Sequence, residues 1–293
     1  MTPKLHLISY VLGLSMALSA TAIHAVNLEK EKVSYKPVGE TRTGIPLPKK
    51  VDGILLIPTD VVKPYPAVVI VHGSGGVDGR GAFYAKALNE AGIATFEIWM
   101  FAPGKRPRST GDTWPHVYGA LMYLSQRDDF DPKRIGVMGF SWGGANSLQT
   151  VNKELTDKYT GGQATFAGHA PIYPVCWVFE SKAYKKLLVG TWTGAPVLFL
   201  AGGKDDYDSD GGEGCRTFEQ SLPAEKRDVF DMTIYPNATH KWDDQKWGRP
   251  YSFYDEYAFK GEGGNVRIVP RRPIANQSRE AVIHFFSDLF ATK

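Results

Sequence analysis

Gly139-Phe140-Ser141-Trp142-Gly143 sets a serine hydroxyl between two glycines at the end of the apolar run Ile135 to Phe140. A G-x-S-x-G pattern is weak evidence by itself in a chain with 31 glycines. The setting carries the meaning: an apolar strand enters the motif, and small residues, Gly143, Gly144 and Ala145, leave it toward a helix. A tight strand-to-helix turn of this kind exposes its central side chain as a nucleophile. A serine hydroxyl at neutral pH needs a neighbouring base, and that base needs a carboxylate to fix its tautomer. In this chain order the acid follows the serine and the histidine comes last.

Of the 7 histidines, five lie beyond residue 25, and of these His72 and His116 precede Ser141. His169 precedes any acid at the end of a later strand, and His284 falls inside the closing helix. His240 remains, on the loop Pro236-Asn237-Ala238-Thr239 after a strand near Tyr235. The acid is expected in Gly202-Gly203-Lys204-Asp205-Asp206-Tyr207-Asp208, directly after the strand Val197 to Ala201. Asp205 is the first carboxylate beyond that strand and is the choice, with Asp206 its competitor. Developing charge on a tetrahedral intermediate requires backbone N–H donors. One is expected from Trp142, and the other from Ser74 or Gly75 in the loop His72-Gly73-Ser74-Gly75-Gly76. That loop matches neither glycine pattern of a nucleotide cradle.

The elements that must hold these residues alternate. Val51 to Ile57, Ala67 to Val71, Ile93 to Met100, Ile135 to Phe140, Val197 to Ala201 and Phe230 to Tyr235 read as strands. Ala82 to Ala91, Trp114 to Leu124, Cys215 to Leu222 and Ser278 to Leu289 carry helical apolar spacing. Strands separated by helices predict an α/β fold with a mainly parallel sheet covered on both faces. Ala238 to Ala275, rich in aromatic residues, Gly, Pro and charge, reads as long surface loops.

Composition narrows the partners. The 293 residues are 43% hydrophobic and 22% charged, which is enough to bury a core. The net charge of +3 comes from scattered residues and gives no field to gather nucleic acid. Two cysteines, Cys176 and Cys215, cannot build a four-thiolate zinc site. No metal or cofactor is called for, and a small-molecule ester is the expected partner.

Lys4, the apolar stretch Leu7 to Ala20 and the small residues Ala20-Thr21-Ala22 read as a secretory signal cut after Ala22 or Ala25. The stretch is shorter than the ~20 residues that span a bilayer, and no later segment reaches spanning length without charges. The expected mature protein is therefore exported, periplasmic or secreted, as one domain over residues 26–293. An oxidising compartment lets Cys176 and Cys215 pair, and closing that ~40-residue loop contributes about 4 kcal/mol in the chain-entropy estimate.

The run from His72-Gly73 through Ser141 to Asp205 and His240 resembles the dienelactone hydrolase family of α/β-hydrolases. The resemblance is carried by Gly139-Phe140-Ser141-Trp142-Gly143-Gly144, Gly202-Gly203-Lys204-Asp205-Asp206-Tyr207 and Tyr173-Pro174-Val175-Cys176, and covers roughly Val51 to Phe290. It implies an α/β-hydrolase sheet and carboxylic-ester or lactone hydrolysis through an acyl-enzyme. The founding members resemble this order but use a cysteine nucleophile engaged by a glutamate after the early strand. Ser141 and Ser74 stand at those places here, which points to a serine-nucleophile, exported branch and away from a dienelactone substrate.

His72, Arg106 and Trp242 are the candidate pocket residues. Lys105, Arg106 and Arg108 follow the strand ending at Met100 and either hold an anionic substrate or form a solvated turn. Trp142, Trp177, Trp192, Trp242 and Trp247 either line an apolar or sugar-binding pocket or belong to the core. Alternatives to the esterase are a peptidase or acyltransferase on the same triad, or a binding protein on a hydrolase scaffold.

Overall fold

Apolar runs as short as Tyr65–Val71, buried at every position, can pair only inside a sheet covered on both faces. The computed structural model describes residues 26–291 and contains that sheet. The expected signal segment, residues 1–25, lies outside the described residues.

The strands are β1 (Leu28–Tyr35), β2 (Val51–Pro58), β3 (Tyr65–Val71), β4 (Ala94–Trp99), β5 (Phe130–Phe140), β6 (His169–Ile172), β7 (Val197–Gly202), β8 (Phe230–Tyr235), β9 (Tyr251–Asp255) and β10 (Gly264–Ile268). The helices are α1 (Arg80–Glu90), α2 (Trp114–Ser125), α3 (Trp142–Gln149), α4 (Lys153–Thr160), α5 (Lys182–Val189), α6 (Glu213–Ser221), α7 (Ala224–Arg227), α8 (Ala258–Gly261) and α9 (Arg272–Ala291). β1 to β8 form one sheet in the order β1-β2-β4-β3-β5-β6-β7-β8. β2 runs antiparallel to both β1 and β4, and every pair from β4 to β8 is parallel. This is the expected α/β-hydrolase architecture.

Alternation along β3 divides the core. Ala67, Val69 and Val71 face Val117, Leu121 and Leu124 of α2, whereas Val68 and Ile70 face Tyr84 and Leu88 of α1 and Val282 and Phe286 of α9. A third cluster packs α3 and α6 against β7 and β8 through Leu148, Phe218, Phe199 and Phe230. Loops at the carboxyl ends of β3, β5, β7 and β8 therefore open on one edge of the sheet, where parallel α/β folds place their crevice.

The expectation of loops from Ala238 to Ala275 is corrected. β9 and β10 pair antiparallel there, with Gly264 opposite Asp255 and Ile268 opposite Tyr251. The hairpin encloses a small core of its own: Val266, Ile268 and Ala258 with Tyr207 from the acid loop.

Candidate active site

Ser141 is the residue between β5 and α3, and its backbone sits at φ 52°, ψ −109°, a region that L-residues with a side chain rarely adopt. The turn is tight enough to exclude side chains on either side of it. A Cβ on Gly139 would lie 2.2 Å from the Gly143 carbonyl oxygen, and one on Gly143 would lie 2.1 Å from that of Val71. The G-x-S-x-G spacing is thus a requirement of backbone against backbone. The amide of Trp142 is the first of α3 and belongs to the end of the helix whose N–H groups lack intrahelical partners.

Asp205 and His240 arrive on adjacent loops. Gly203 N–H donates to Tyr235 O at 2.9 Å and Lys204 N–H to Ala238 O at 2.8 Å, which ties the loop after β7 to the loop after β8. His240 Nδ1 then lies 2.6 Å from Asp205 Oδ2, with both side chains buried. The other carboxylate oxygen of Asp205 accepts the Tyr207 N–H at 3.0 Å. A carboxylate on Nδ1 fixes the tautomer with the proton there and leaves Nε2 as the free base. Tyr207 and Tyr173 hold the imidazole between them, their ring centres 4.5 and 4.8 Å from its own. Asp206 turns away from the histidine: its Oδ2 accepts the Arg267 N–H of β10 at 2.7 Å, and its carbonyl accepts the Phe259 N–H. Of the two expected acids, Asp205 is the one paired with His240.

Two cavities meet at Ser141. One, of about 250 Å³, is lined by Arg106, Thr110, Trp142, Ala145, Gln149, Trp177, Tyr184 and Tyr257, among others. The other, of about 310 Å³, is lined by Gly73, Gly75, Arg80, His240, Lys241, Lys246, Tyr251 and Phe253. Ser74, Ser141 and Tyr207 line both. Ser74 lines both cavities with Ser141 and Gly75 lines the second, in a loop closed by the Gly76 N–H to Gly73 O bond. Arg106 lines the first cavity, its guanidinium 4.8 Å from the Tyr257 ring and 5.7 Å from the Trp142 ring. It faces Asp255 at 3.6 Å and Glu256 at 3.5 Å, so much of its charge is already answered.

Two expected pocket residues line neither cavity. His72 is buried, with Nδ1 2.7 Å from Gly73 O and Nε2 accepting the Met100 N–H at 3.0 Å, so it braces the ends of β3 and β4. Burial pushes its pKa down. Trp242 is 0% exposed and belongs to the core behind the histidine, its indole N–H donating to Ser278 Oγ. Trp192 is likewise a core residue, and Trp247 packs on Phe83.

Asp78, Arg80 and Asp243, which carry no motif in the sequence, support the histidine loop together with Tyr173. Arg80 grips Asp78 through Nε and Nη2 and donates to the Tyr173 hydroxyl, which in turn donates to Asp243 at 2.6 Å. Burial pushes the Asp243 carboxyl up. Asp78 is held down to about 2, because Arg80 and Lys241 outweigh the upward push of its burial. On the far side, Cys176 and Cys215 are bridged, as the export argument allowed. Asp208 accepts the N–H groups of Cys176 and Trp177, and burial together with the Asp205 charge pushes its pKa up to about 7.

Glu97 on β4 lines neither cavity, and its role is energetic. Burial, with a smaller contribution from Asp78, pushes its pKa up to about 7 from 4.5. A carboxyl raised on folding binds its proton more tightly in the native state, so stability falls as pH climbs from 4.5 toward 7 and levels off above. Glu97→Gln removes that loss. Above pH 7.5 the variant is expected to exceed the parent by roughly 2 kcal/mol, about 5 °C in thermal unfolding, and to converge with it below pH 4.5. Equal unfolding temperatures at pH 8 would refute this.

The sequence profile of the dienelactone hydrolase family matches residues 51–261. The chain belongs to the dienelactone hydrolase family. It is a carboxylic ester hydrolase of the α/β-hydrolase superfamily. No curated protein matches it by sequence. Among solved structures it is similar to a putative dienelactone hydrolase from Klebsiella pneumoniae, at 15% identity and TM-score 0.61, over 89% of this chain and 99% of that one. It is also similar to the dienelactone hydrolase-like promiscuous phosphotriesterase P91 from metagenomic libraries, at 17% identity and TM-score 0.58, over 89% and 98% of the two chains. A third is Thermogutta terrifontis esterase 2 phosphoramylated by tabun, at 16% identity and TM-score 0.60, over 89% and 94%. At these identities the likenesses speak for the fold that the family profile implies.

Proposed function

We propose that this dienelactone hydrolase family member cleaves esters with Ser141 as nucleophile, His240 as general base and acid, and Asp205 as the carboxylate that orients His240. The observation that carries the reading is the 2.6 Å Nδ1–Oδ2 pair of His240 and Asp205 beside a cavity wall that His240 shares with the strained Ser141.

His240 Nε2 takes the hydroxyl proton as Ser141 Oγ bonds to the ester carbonyl carbon. The carbonyl oxygen becomes an oxyanion facing the Trp142 N–H, with a second donor from the backbone of Ser74 or Gly75. The tetrahedral species collapses by breaking the bond to the alcohol oxygen, and that oxygen receives the proton from His240. Water then adds to the acyl-enzyme by the same route and releases Ser141 with its proton restored. Because His240 must reach the leaving oxygen, the alcohol departs on the side of the cavity that His240 lines, and the acyl group occupies the one lined by Trp142 and Trp177.

The mature chain is read as a single exported domain once residues 1–25 are removed. The signal-like composition of that segment supports this, and the 176–215 disulfide is compatible with it. The alternatives of peptidase, acyltransferase and inert binder have no observation in their favour.

A fluorophosphonate tests the assignment, and the phosphoramylation of the Thermogutta esterase by tabun makes it a fitting probe. One adduct per chain is expected, mapping by mass spectrometry to the peptide containing Ser141. No adduct, or one mapped to another residue, overturns the reading.

A further inference from the structure

Val175 carries a β-branched side chain at φ 64°, ψ 96°, and Tyr173, two residues earlier, sits at φ 39°. Residues with a side chain rarely adopt such angles, and strain of this kind persists only where the surroundings over-determine it. Its effect here is placement. Tyr173 turns its ring onto His240, and Pro174, Val175, Trp177 and Val178 line the cavity that Ser141 shares with Trp142.

The strained stretch is held at both ends. Before it, the Tyr173 N–H donates to Leu200 O at 2.7 Å, and the hydroxyl is fixed by Arg80 and Asp243. After it, the amides of Cys176 and Trp177 donate to Oδ2 and Oδ1 of Asp208, at 3.0 and 2.8 Å. Two successive N–H groups aimed at one carboxylate form an anion nest that the chain fills from within. The Cys176–Cys215 bridge ties the same turn to α6, but it does not set the direction of the two amides.

Asp208 is 5% exposed and lines neither cavity at Ser141. Burial, with the charges of Asp205 and Asp210, pushes its pKa up to about 7. A carboxylate placed so unfavourably is offset by its two amide partners.

We propose that Asp208 is a positioning residue for acyl-group recognition: its carboxylate clamps the Cys176 and Trp177 amides and so fixes the wall, Val175 and Trp177, on which a bulky acyl group packs. The inference rests on the reading that sets the acyl group in this cavity.

The test compares 4-nitrophenyl acetate with 4-nitrophenyl 3-phenylpropanoate, which share a leaving group and differ in acyl bulk, with fluorophosphonate labelling of Ser141 run in parallel. Asp208→Asn is nearly isosteric, keeps an acceptor for one amide and turns an NH₂ toward the other. It is expected to raise KM for the phenylpropanoate roughly tenfold, with KM for the acetate and kcat for both esters within about twofold of the parent. Asp208→Ala, which frees both amides, is expected to do at least as much. In the wild-type chain the kcat/KM ratio of bulky to small ester is expected to fall several-fold as pH drops from about 8 to about 6, because Asp208 takes up its proton near 7. Titration of His240 acts on both esters and cancels in that ratio. Asp205 and Asp210 are the charges that face Asp208, and Asp210 is paired with Lys260 at 3.0 Å; neither carboxylate bonds the Cys176 or Trp177 amide. The ratio is expected to be flat over this range in Asp208→Asn. Thermal unfolding of each variant establishes that it is folded. An unchanged ratio in both folded variants, or an equal loss on both esters, overturns this inference alone, the second by showing that Asp208 acts on the triad through its charge. Should neither variant fold, a flat wild-type ratio overturns it. Absence of labelling and of all ester turnover in the wild-type chain overturns the triad reading and this inference with it.

Discussion

Ser141→Ala is expected to lower kcat toward a short-chain aryl ester by roughly 10⁴- to 10⁶-fold while leaving the fold intact. The variant keeps the Trp142 amide and both cavities, so substrate still binds, and the residual rate reflects positioning and oxyanion stabilisation without a covalent step. Stability changes little. The Ser141 backbone hydrogen bonds, its N–H to Ile172 O at 2.9 Å and its carbonyl to the Ala145 N–H at 2.8 Å, do not involve the hydroxyl. Alanine meets the same steric penalty at φ 52° that serine does. Steady-state kinetics with a thermal unfolding curve checks both halves. Wild-type turnover in a folded Ser141→Ala variant would exclude the serine as nucleophile.

Asp205→Asn is expected to cost about 10⁴-fold in kcat, with a smaller effect on KM. The amide is nearly isosteric with the carboxylate, and its oxygen can still accept the Tyr207 N–H. Its NH₂ then donates to His240 Nδ1, so the ring carries its proton on Nε2 and faces Ser141 with a donor in place of a base. The buried imidazolium also loses the negative charge that stabilises it as Ser141 gives up its proton. Slow fluorophosphonate labelling, in step with the loss of kcat, distinguishes this tautomer defect from a failure to bind. Retention of more than a tenth of the parent rate would mean that another group orients His240. Asp208 is the nearby buried carboxylate, and its contacts to the Cys176 and Trp177 amides hold it elsewhere.

The parts of the site legible in the sequence were those set by local constraint. The turn at Ser141 declares itself because Gly139 and Gly143 are forced by backbone approach. Asp205 and His240 follow from strand ends and chain order. Long-range pairing left no such trace. Nothing in Asp78, Arg80, Tyr173 or Asp243 as a string foretells that they meet beneath the histidine, since their partners are as much as 93 residues apart. Nor does the string foretell that Trp114, on a different helix, and Thr110 both donate to the Gln149 carbonyl oxygen, which leaves its NH₂ without a partner among the described residues.

Side-chain type also misleads about direction. Trp242 and His72 lie next to site loops in sequence, yet both face inward. β6 leaves no clear signal because it is four residues long and contains Pro171, which cannot donate to a ladder. β9 did carry a signal, the alternation Tyr251-Ser252-Phe253-Tyr254-Asp255, in which the odd positions are half-buried. It was masked by the Gly, Pro and charge on either side.

The neighbouring aspartates divide two tasks: Asp205 holds His240, and Asp206 fastens the β9–β10 hairpin, whose Tyr251, Phe253 and Tyr257 wall the cavities. Alanine scanning across this loop is therefore confounded when activity is the sole readout, because a loss at position 206 and a loss at position 205 look alike in a rate. They part company in their dependence on substrate size. Losing the orienting acid slows every ester by a similar factor, whereas unfastening a wall penalises the bulky esters that lean on it.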